Sequence, residues 1–200
     1  MKNILVVFIG SFNPPLSLHF SLAEQIVNEF KQVEKVVFVP TNKLYNKPGL
    51  IENIHRYSML KLVIDKNPNF MLSSMELDNG RQLYTMETLK LIKEKYPDKE
   101  IWFTIGTDNL RQLSMWKNPE ELVKNYKCIV LEKEEDNMED IILNDEFLNK
   151  NKDTFIKLDN IIKKNVSSTF VRDSIKSGKS IRYLVPDEVN EYIDKNKLYK

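Results

Sequence analysis

With 200 residues and 42% hydrophobic positions, the chain has the length and apolar content of one soluble domain and no comfortable room for a second full-sized core. Its 30 Lys and Arg against 29 Asp and Glu leave a net charge of +1 with no long basic run, which argues against nucleic acid as a partner while leaving small charged ligands open. The single cysteine, Cys128, excludes an intrachain disulfide framework and a multi-cysteine zinc site.

The first predicted element, residues 3–9, is a nearly continuous aliphatic run, as expected for a parallel strand covered on both faces. It is half a bilayer span and no small-residue cleavage site follows it, so neither a membrane anchor nor secretion is expected and a reducing cytoplasm is the default location. Gly10-Ser11-Phe12-Asn13-Pro14-Pro15 then leads into a helix predicted over 18–31. A strand that ends in Gly-Ser before a helix offers backbone N–H groups to an anion, although the same residues also suit a plain tight turn. The segment is neither Gly-x-Gly-x-x-Gly nor a P-loop. His19, in the first turn of that helix, could turn its imidazole to the same anion, or be an ordinary structural histidine.

A strand over 35–39, a helix over 54–65, a strand over 70–73 and a helix over 85–95 follow. His55 on the second helix is the only other histidine, and two histidines without a cysteine cluster make no protein-held metal site. After the strand over 100–105 comes Gly106-Thr107-Asp108-Asn109, where Asp108 can cap a helix or accept from ribose hydroxyls. Trp116 precedes Lys117-Asn118-Pro119 in a turn-like setting that suits either a core anchor or an indole face shown to a flat ring.

The strand over 127–131 holds Cys128 as a buried structural thiol, and residues 132–140, with six acids, read as a solvated surface loop. A strand over 154–158 precedes two capped helices, 168–177 and 187–196, with Gly178 after the first and Pro186-Asp187 opening the second. Ser167, Ser168 and Thr169 give the first of these more hydroxyls than a cap needs, and Arg172 lies one turn on. Together they could meet phosphate oxygens, or form a cap beside an exposed arginine. Strands alternating with helices make the class α/β.

Taken in order, these segments resemble the nucleotidyltransferases with a (His/Thr)-x-Gly-His motif. Gly10-Ser11-Phe12-Asn13-Pro14 with His19 is similar to that family's opening, and Val166-Ser167-Ser168-Thr169-Phe170-Val171-Arg172 to its closing Ile-Ser-Ser-Thr-x-x-Arg. Pro40, Lys47, His55-Arg56, Met59-Leu60, Tyr84-Thr85-Met86-Glu87-Thr88-Leu89, Gly106-Thr107-Asp108-Asn109-Leu110 and Trp116-Lys117 resemble the nicotinate or nicotinamide mononucleotide adenylyltransferases.

The resemblance implies a Rossmann-like doubly wound parallel sheet with a small helical C-terminal part, about 166–200, in a single nucleotidyltransferase domain spanning 1–200. It implies transfer of AMP from ATP to a pyridine mononucleotide, and a homo-oligomer is compatible with it. His19 and Arg172 would be catalytic and, with Ser168 and Thr169, would contact ATP phosphates over a cradle at Gly10, Ser11 and Phe12. Gly106 and Asp108 would hold the adenosine. Tyr84 and Thr85 would meet the pyridine substituent, Trp116 would stack on the ring, and Lys47 would meet the acceptor phosphate. Mg²⁺ would arrive on the ATP phosphates, with no metal held by protein ligands alone.

Three departures stand out. Leu16 and Leu18 replace the motif's first His/Thr and its Gly, which suggests a lost phosphate-facing group with Ser17 or Ser11 as compensating donor. Glu132-Lys133 stands where Arg-Pro is common, and Leu83 where serine is usual. The segment from Tyr84 to Leu89 resembles nicotinate-preferring enzymes, whereas Tyr45-Asn46-Lys47, Leu50 and His55-Arg56 read more like nicotinamide-accepting or dual ones; nicotinate is the favoured acceptor. A different acceptor within the superfamily, and a nucleotide-binding module that has lost activity, remain as alternatives.

Overall fold

Six parallel strands make one sheet in the computed structural model, which describes residues 3–44, 48–159 and 166–200. They are β1 (Ile4–Gly10), β2 (Val33–Pro40), β3 (Phe70–Leu72), β4 (Glu100–Gly106), β5 (Lys127–Leu131) and β6 (Phe155–Lys157), in the order β3-β2-β1-β4-β5-β6. The order reverses between β1 and β4, so the crevice beyond their carboxyl ends is where a doubly wound sheet binds ligands.

Alternation along the strands divides the core. Leu5 and Val7 of β1, Val37 and Val39 of β2, and Phe103 and Ile105 of β4 pack beneath α3 (Thr85–Lys95) and α5 (Pro119–Asn125). Ile4, Val6 and Phe8 face the other way with Val36 and Phe38, beneath α1 (Ser17–Glu29) and α2 (Asn53–Ile64). Coverage on both faces is why β1 and β4 read as unbroken apolar runs. Cys128 is a fully buried free thiol in the first layer, its pKa pushed well up by burial. Among the described residues no helix is long and apolar enough to cross a membrane.

A third cluster joins Leu16, Met59 and Val171 to Ile181, Val185, Val189 and Ile193. It seats α8 (Ser168–Lys176) and α9 (Asp187–Lys195) against α2 and the start of α1. Ser167 caps α8 by accepting from the Phe170 N–H at 3.1 Å, and Gly178 closes it at φ +67, a left-handed geometry that favours glycine.

Two expectations change here. Residues 132–140 are not a free loop: Glu132 is buried and accepts from the Met138 N–H at 2.8 Å, Asp136 accepts from Thr107 and Arg111, and Met138 starts helix α6 (Met138–Leu143). Acid-rich composition marks solvation on average, but here two of the acids satisfy backbone and side-chain donors. The helical segment that starts at Gly106-Thr107-Asp108-Asn109 is the four-residue α4 (Thr107–Leu110), whereas the short helices α5, α6 and α7 (Glu146–Lys150) were not anticipated, because runs of 5 to 7 residues are too brief to display a helical period.

Candidate active site

A cavity of about 590 Å³ opens over the carboxyl ends of β1, β2, β4 and β5. Gly10, Ser11, Thr41 and Gly106 line one side, and Tyr84, Thr85, Trp116 and Lys117 line the other.

The turn after β1 is shaped by Phe12. Its backbone sits at φ 45, and its buried ring packs edge-on to Phe8 and to His19 at centroid separations of 5.7 and 5.1 Å. A Cβ at Gly10 would lie 3.1 Å from that ring, so glycine lets the turn close. The carbonyls are then held from outside: Gly10 by the Thr41 N–H at 2.9 Å, Ser11 by Arg56 Nη1 at 2.9 Å, Asn13 by Arg172 Nη1 at 2.9 Å, and Pro14 by Ser168 Oγ at 2.8 Å. In a trans peptide the following N–H points opposite the carbonyl, so these clamps aim the Ser11 and Phe12 N–H groups away from their partners. Asn13 adds ties of its own, donating to the Gly49 carbonyl at 2.8 Å and accepting from the Tyr199 hydroxyl at 2.9 Å.

His19 takes the place of the acidic residue in a capping box, its Nδ1 accepting the Leu16 N–H at 2.9 Å. Burial lowers its pKa to about 4, so the ring is neutral near pH 7. With Nδ1 committed as acceptor, the proton sits on Nε2, and the imidazole is a neutral donor. Ser167, Ser168 and Thr169 each have a protein partner: Ser167 caps α8, Ser168 bonds the cradle, and Thr169 accepts from Arg172 Nη2 at 3.1 Å. The opening and closing motifs thus meet at one loop. Gly10 and Ser11 face the cavity, whereas Phe12, His19, Ser168, Thr169 and Arg172 gather around the loop outside the cavity lining.

On the opposite wall Glu87 accepts the Tyr84 N–H at 2.9 Å and forms a fork with Arg81, which together pull its carboxyl down to about 2. This fixes the start of α3, where Thr85 lines the cavity. Lys117 Nζ stands 4.5 Å from the Tyr84 ring centroid, and Trp116 both lines the cavity and packs on the core. A Cβ on Gly106 would meet no atom within 4 Å, so open space remains there.

Other placements differ from expectation. The Asp108 side chain is 65% exposed and ion-paired with Lys133, outside the cavity lining, because it points outward from α4; Asn109 lines the cavity instead. Leu16 is 2% exposed in the third core cluster, so its side chain turns from the cradle toward α8 and α9 and fills that core. The expectation of a missing phosphate-facing group at that position gives way to a packing role, and an imidazole there would be buried among aliphatic side chains. Of the suggested compensating donors, Ser11 lines the cavity and Ser17 gives its N–H to the Leu184 carbonyl. Lys47 lies outside the described residues.

Sequence reasoning passed over Arg56. It is fully buried, and besides Ser11 it donates to the Ile51 carbonyl at 3.2 Å and Asn53 Oδ1 at 2.5 Å. Burial lowers its pKa to about 10, which leaves it charged at neutral pH. Its place in the resemblance, beside His55 and before Met59, was the available signal. Glu76, buried and lining the cavity, had none. Among the described residues no group of three His, Cys, Asp or Glu side chains gathers to hold a metal ion.

A cytidylyltransferase-like family model matches residues 7–174. The chain is 35% identical over 195 residues to a Lachnoclostridium phytofermentans protein named "Probable nicotinate-nucleotide adenylyltransferase", covering 95% of this chain and 96% of that one. It is 29% identical over 196 residues to the Bacillus subtilis nicotinate-nucleotide adenylyltransferase, covering 97% of each. Among solved structures, Plasmodium falciparum nicotinic acid mononucleotide adenylyltransferase complexed with NaAD superposes with a TM-score of 0.81 at 22% identity, over 98% of this chain and 97% of that one.

Proposed function

The chain belongs to the cytidylyltransferase-like family and, within it, to the nicotinate-nucleotide adenylyltransferases, and from this premise we propose how its residues transfer AMP from ATP to nicotinate mononucleotide with release of pyrophosphate. The observation that carries the reading is the clamped turn at residues 10–14, held by Arg56, Ser168 and Arg172 beside a cavity at the β1/β4 switch point.

The acceptor phosphate is anionic near neutral pH and can attack the ATP α-phosphorus directly, so positioning and charge stabilisation carry the rate. The N–H groups of the cradle and the Nε2–H of His19 donate to the ATP phosphates, and Ser168 and Thr169 exchange their present partners for phosphate oxygens. Arg172 shares its fork between the Asn13 carbonyl and the charge that builds on the departing pyrophosphate. A neutral His19 donates without needing a proton from solvent. Adenosine lies along Gly106 and Asn109, in place of the Asp108 contact. The pyridine ring lies on Trp116 with its carboxylate toward the start of α3 at Thr85, and Lys117 adds positive charge at that wall. Mg²⁺ arriving on the triphosphate would neutralise part of its charge.

The test incubates the protein with ATP, Mg²⁺ and either nicotinate or nicotinamide mononucleotide, following pyrophosphate and identifying the dinucleotide. Pyrophosphate release with nicotinate mononucleotide, at a kcat/KM above that for the amide, is expected. Equal use of both would make the enzyme dual, and ATP binding without turnover of either would overturn the reading.

A further inference from the structure

Resting on that reading, we propose that Glu76 is a positioning residue for the acceptor, a buried carboxylate that braces the wall formed by Tyr84 and Thr85 and works in its ionised form. It lies on the connection between β3 and α3, is 3% exposed, and is the acidic side chain among those lining the cavity. Its Oε1 accepts from Thr88 Oγ1 at 2.7 Å, one turn along α3 from the residues that line the acceptor side. Asn42, just beyond β2, donates through Nδ2 to the carbonyls of Glu76, Leu77 and Asn79 at 3.0, 3.3 and 3.0 Å. The turn carrying Glu76 is therefore wrapped on the end of β2 while its carboxylate holds α3. Asn42 Oδ1 also accepts from Asn53 at 3.3 Å, and Asn53 is the partner of Arg56, so the chain of bonds runs on to the clamp under the cradle.

Burying a carboxylate is costly, so its contribution to stability alone does not account for one beside the cavity. Burial raises the Glu76 pKa to about 7, against the opposing pull of Thr88, the Asn42 backbone N–H and the Arg56 charge. Arg56 on α2 is the charged group that faces it; α3 presents the neutral Thr88, and on its own turn Asp78 is taken by Ser74 Oγ in solvent. The carboxylate accepts from both Thr88 and Asn42, whereas the acid form gives up part of that capacity. The fold as a whole favours the acid form, but only the carboxylate accepts from both donors, so the acceptor wall takes its working geometry above pH 7 and departs from it as pH falls through that value. The ATP end is reached only through Asn42, Asn53 and Arg56, and so responds less than the acceptor wall.

Initial rates for wild type, Glu76→Ala, Glu76→Gln and Thr88→Val, measured from about pH 6 to about pH 8.5 with each substrate varied, test the assignment. Glu76→Ala and Thr88→Val are expected to raise the KM for nicotinate mononucleotide about tenfold and leave that for ATP within about twofold, as for loss of one buried bond. Glu76→Gln, which keeps an acceptor for Thr88, is expected to restore the acceptor KM at high pH but to lose the wild-type step near pH 7. Should Glu76→Ala not fold, Thr88→Val carries the KM comparison alone. Equal effects on both substrates, no effect in Thr88→Val, or a step near pH 7 that survives in Glu76→Gln would overturn the assignment. Absence of wild-type turnover would overturn the parent reading as well, and so is distinguishable.

Discussion

Along the turn at residues 10–14, four backbone carbonyls are gripped by donors from β2's end, α2 and α8, and the ring of Phe12 is sealed beneath. Across the cavity, Tyr84, Met115 and Lys117 present much of their surface to solvent. Under the proposed function, the contrast follows from what each wall has to meet. Triphosphate charge is stabilised best by dipoles fixed before it arrives, because dipoles that must reorient give part of the gain back. A flat ring with one substituent is instead held by area and a few donors, and side chains able to settle around it suffice.

The sharpest way to break the comparison is Arg56→Ala, which removes three bonds from beneath the rigid wall. A stability loss of about 4 kcal/mol is expected, with Arg56→Lys failing to restore it because one ammonium cannot replace the fork; thermal unfolding checks both. Next come His19→Ala and Arg172→Ala, each expected to cost about 2–4 kcal/mol of transition-state stabilisation, read as kcat/KM of the folded fraction. Normal turnover in both would remove the rigid wall from catalysis.

A third effect comes from two buried groups of opposite sign. Glu76, raised to about 7 from 4.5, contributes stability at low pH that is lost as pH rises from about 4.5 through 7, on the order of 3 kcal/mol. His19, lowered to about 4 from 6.5, contributes stability above about 6.5 that is lost as pH falls toward 4. In wild type the two trends oppose one another, so Glu76→Gln should unmask a decline in unfolding free energy on acidification between those values, read by denaturant titration. Identical pH profiles for variant and wild type would contradict the assignment of the shift. The smallest effect belongs to the open wall: Trp116→Ala should weaken acceptor binding by about 1–2 kcal/mol, seen as a higher acceptor KM.

Sequence patterns carried the sheet and the major helices because aliphatic runs and amphipathic periods repeat over whole elements. They also carried the meeting of the turn after β1 with the start of α8, since motif order implies that both reach one substrate. What escaped was whatever depends on burial. Arg56 reads as an exposed arginine until α2 is folded against the turn, Leu16 as a defective motif position until α8 and α9 cover it, and Glu76 as one acid among several. Asp108 stands outside the cavity lining for a simpler reason: on a four-residue helix whose buried residues are Thr107 and Leu110, it is the exposed neighbour Asn109 that borders the cavity. Residues 132–140 show composition failing locally, because Glu132 and Asp136 serve as hydrogen-bond acceptors for specific donors.

Initial rates of the Arg172→Ala and Trp116→Ala proteins over a grid of ATP and nicotinate mononucleotide concentrations bear most directly on the division between a fixed phosphate wall and an open acceptor wall. The account predicts that Arg172→Ala lowers kcat with an acceptor KM within about twofold of wild type, while Trp116→Ala raises the acceptor KM with kcat nearly unchanged. A Trp116→Ala protein that loses kcat as severely as Arg172→Ala, at an unaltered acceptor KM, would contradict it.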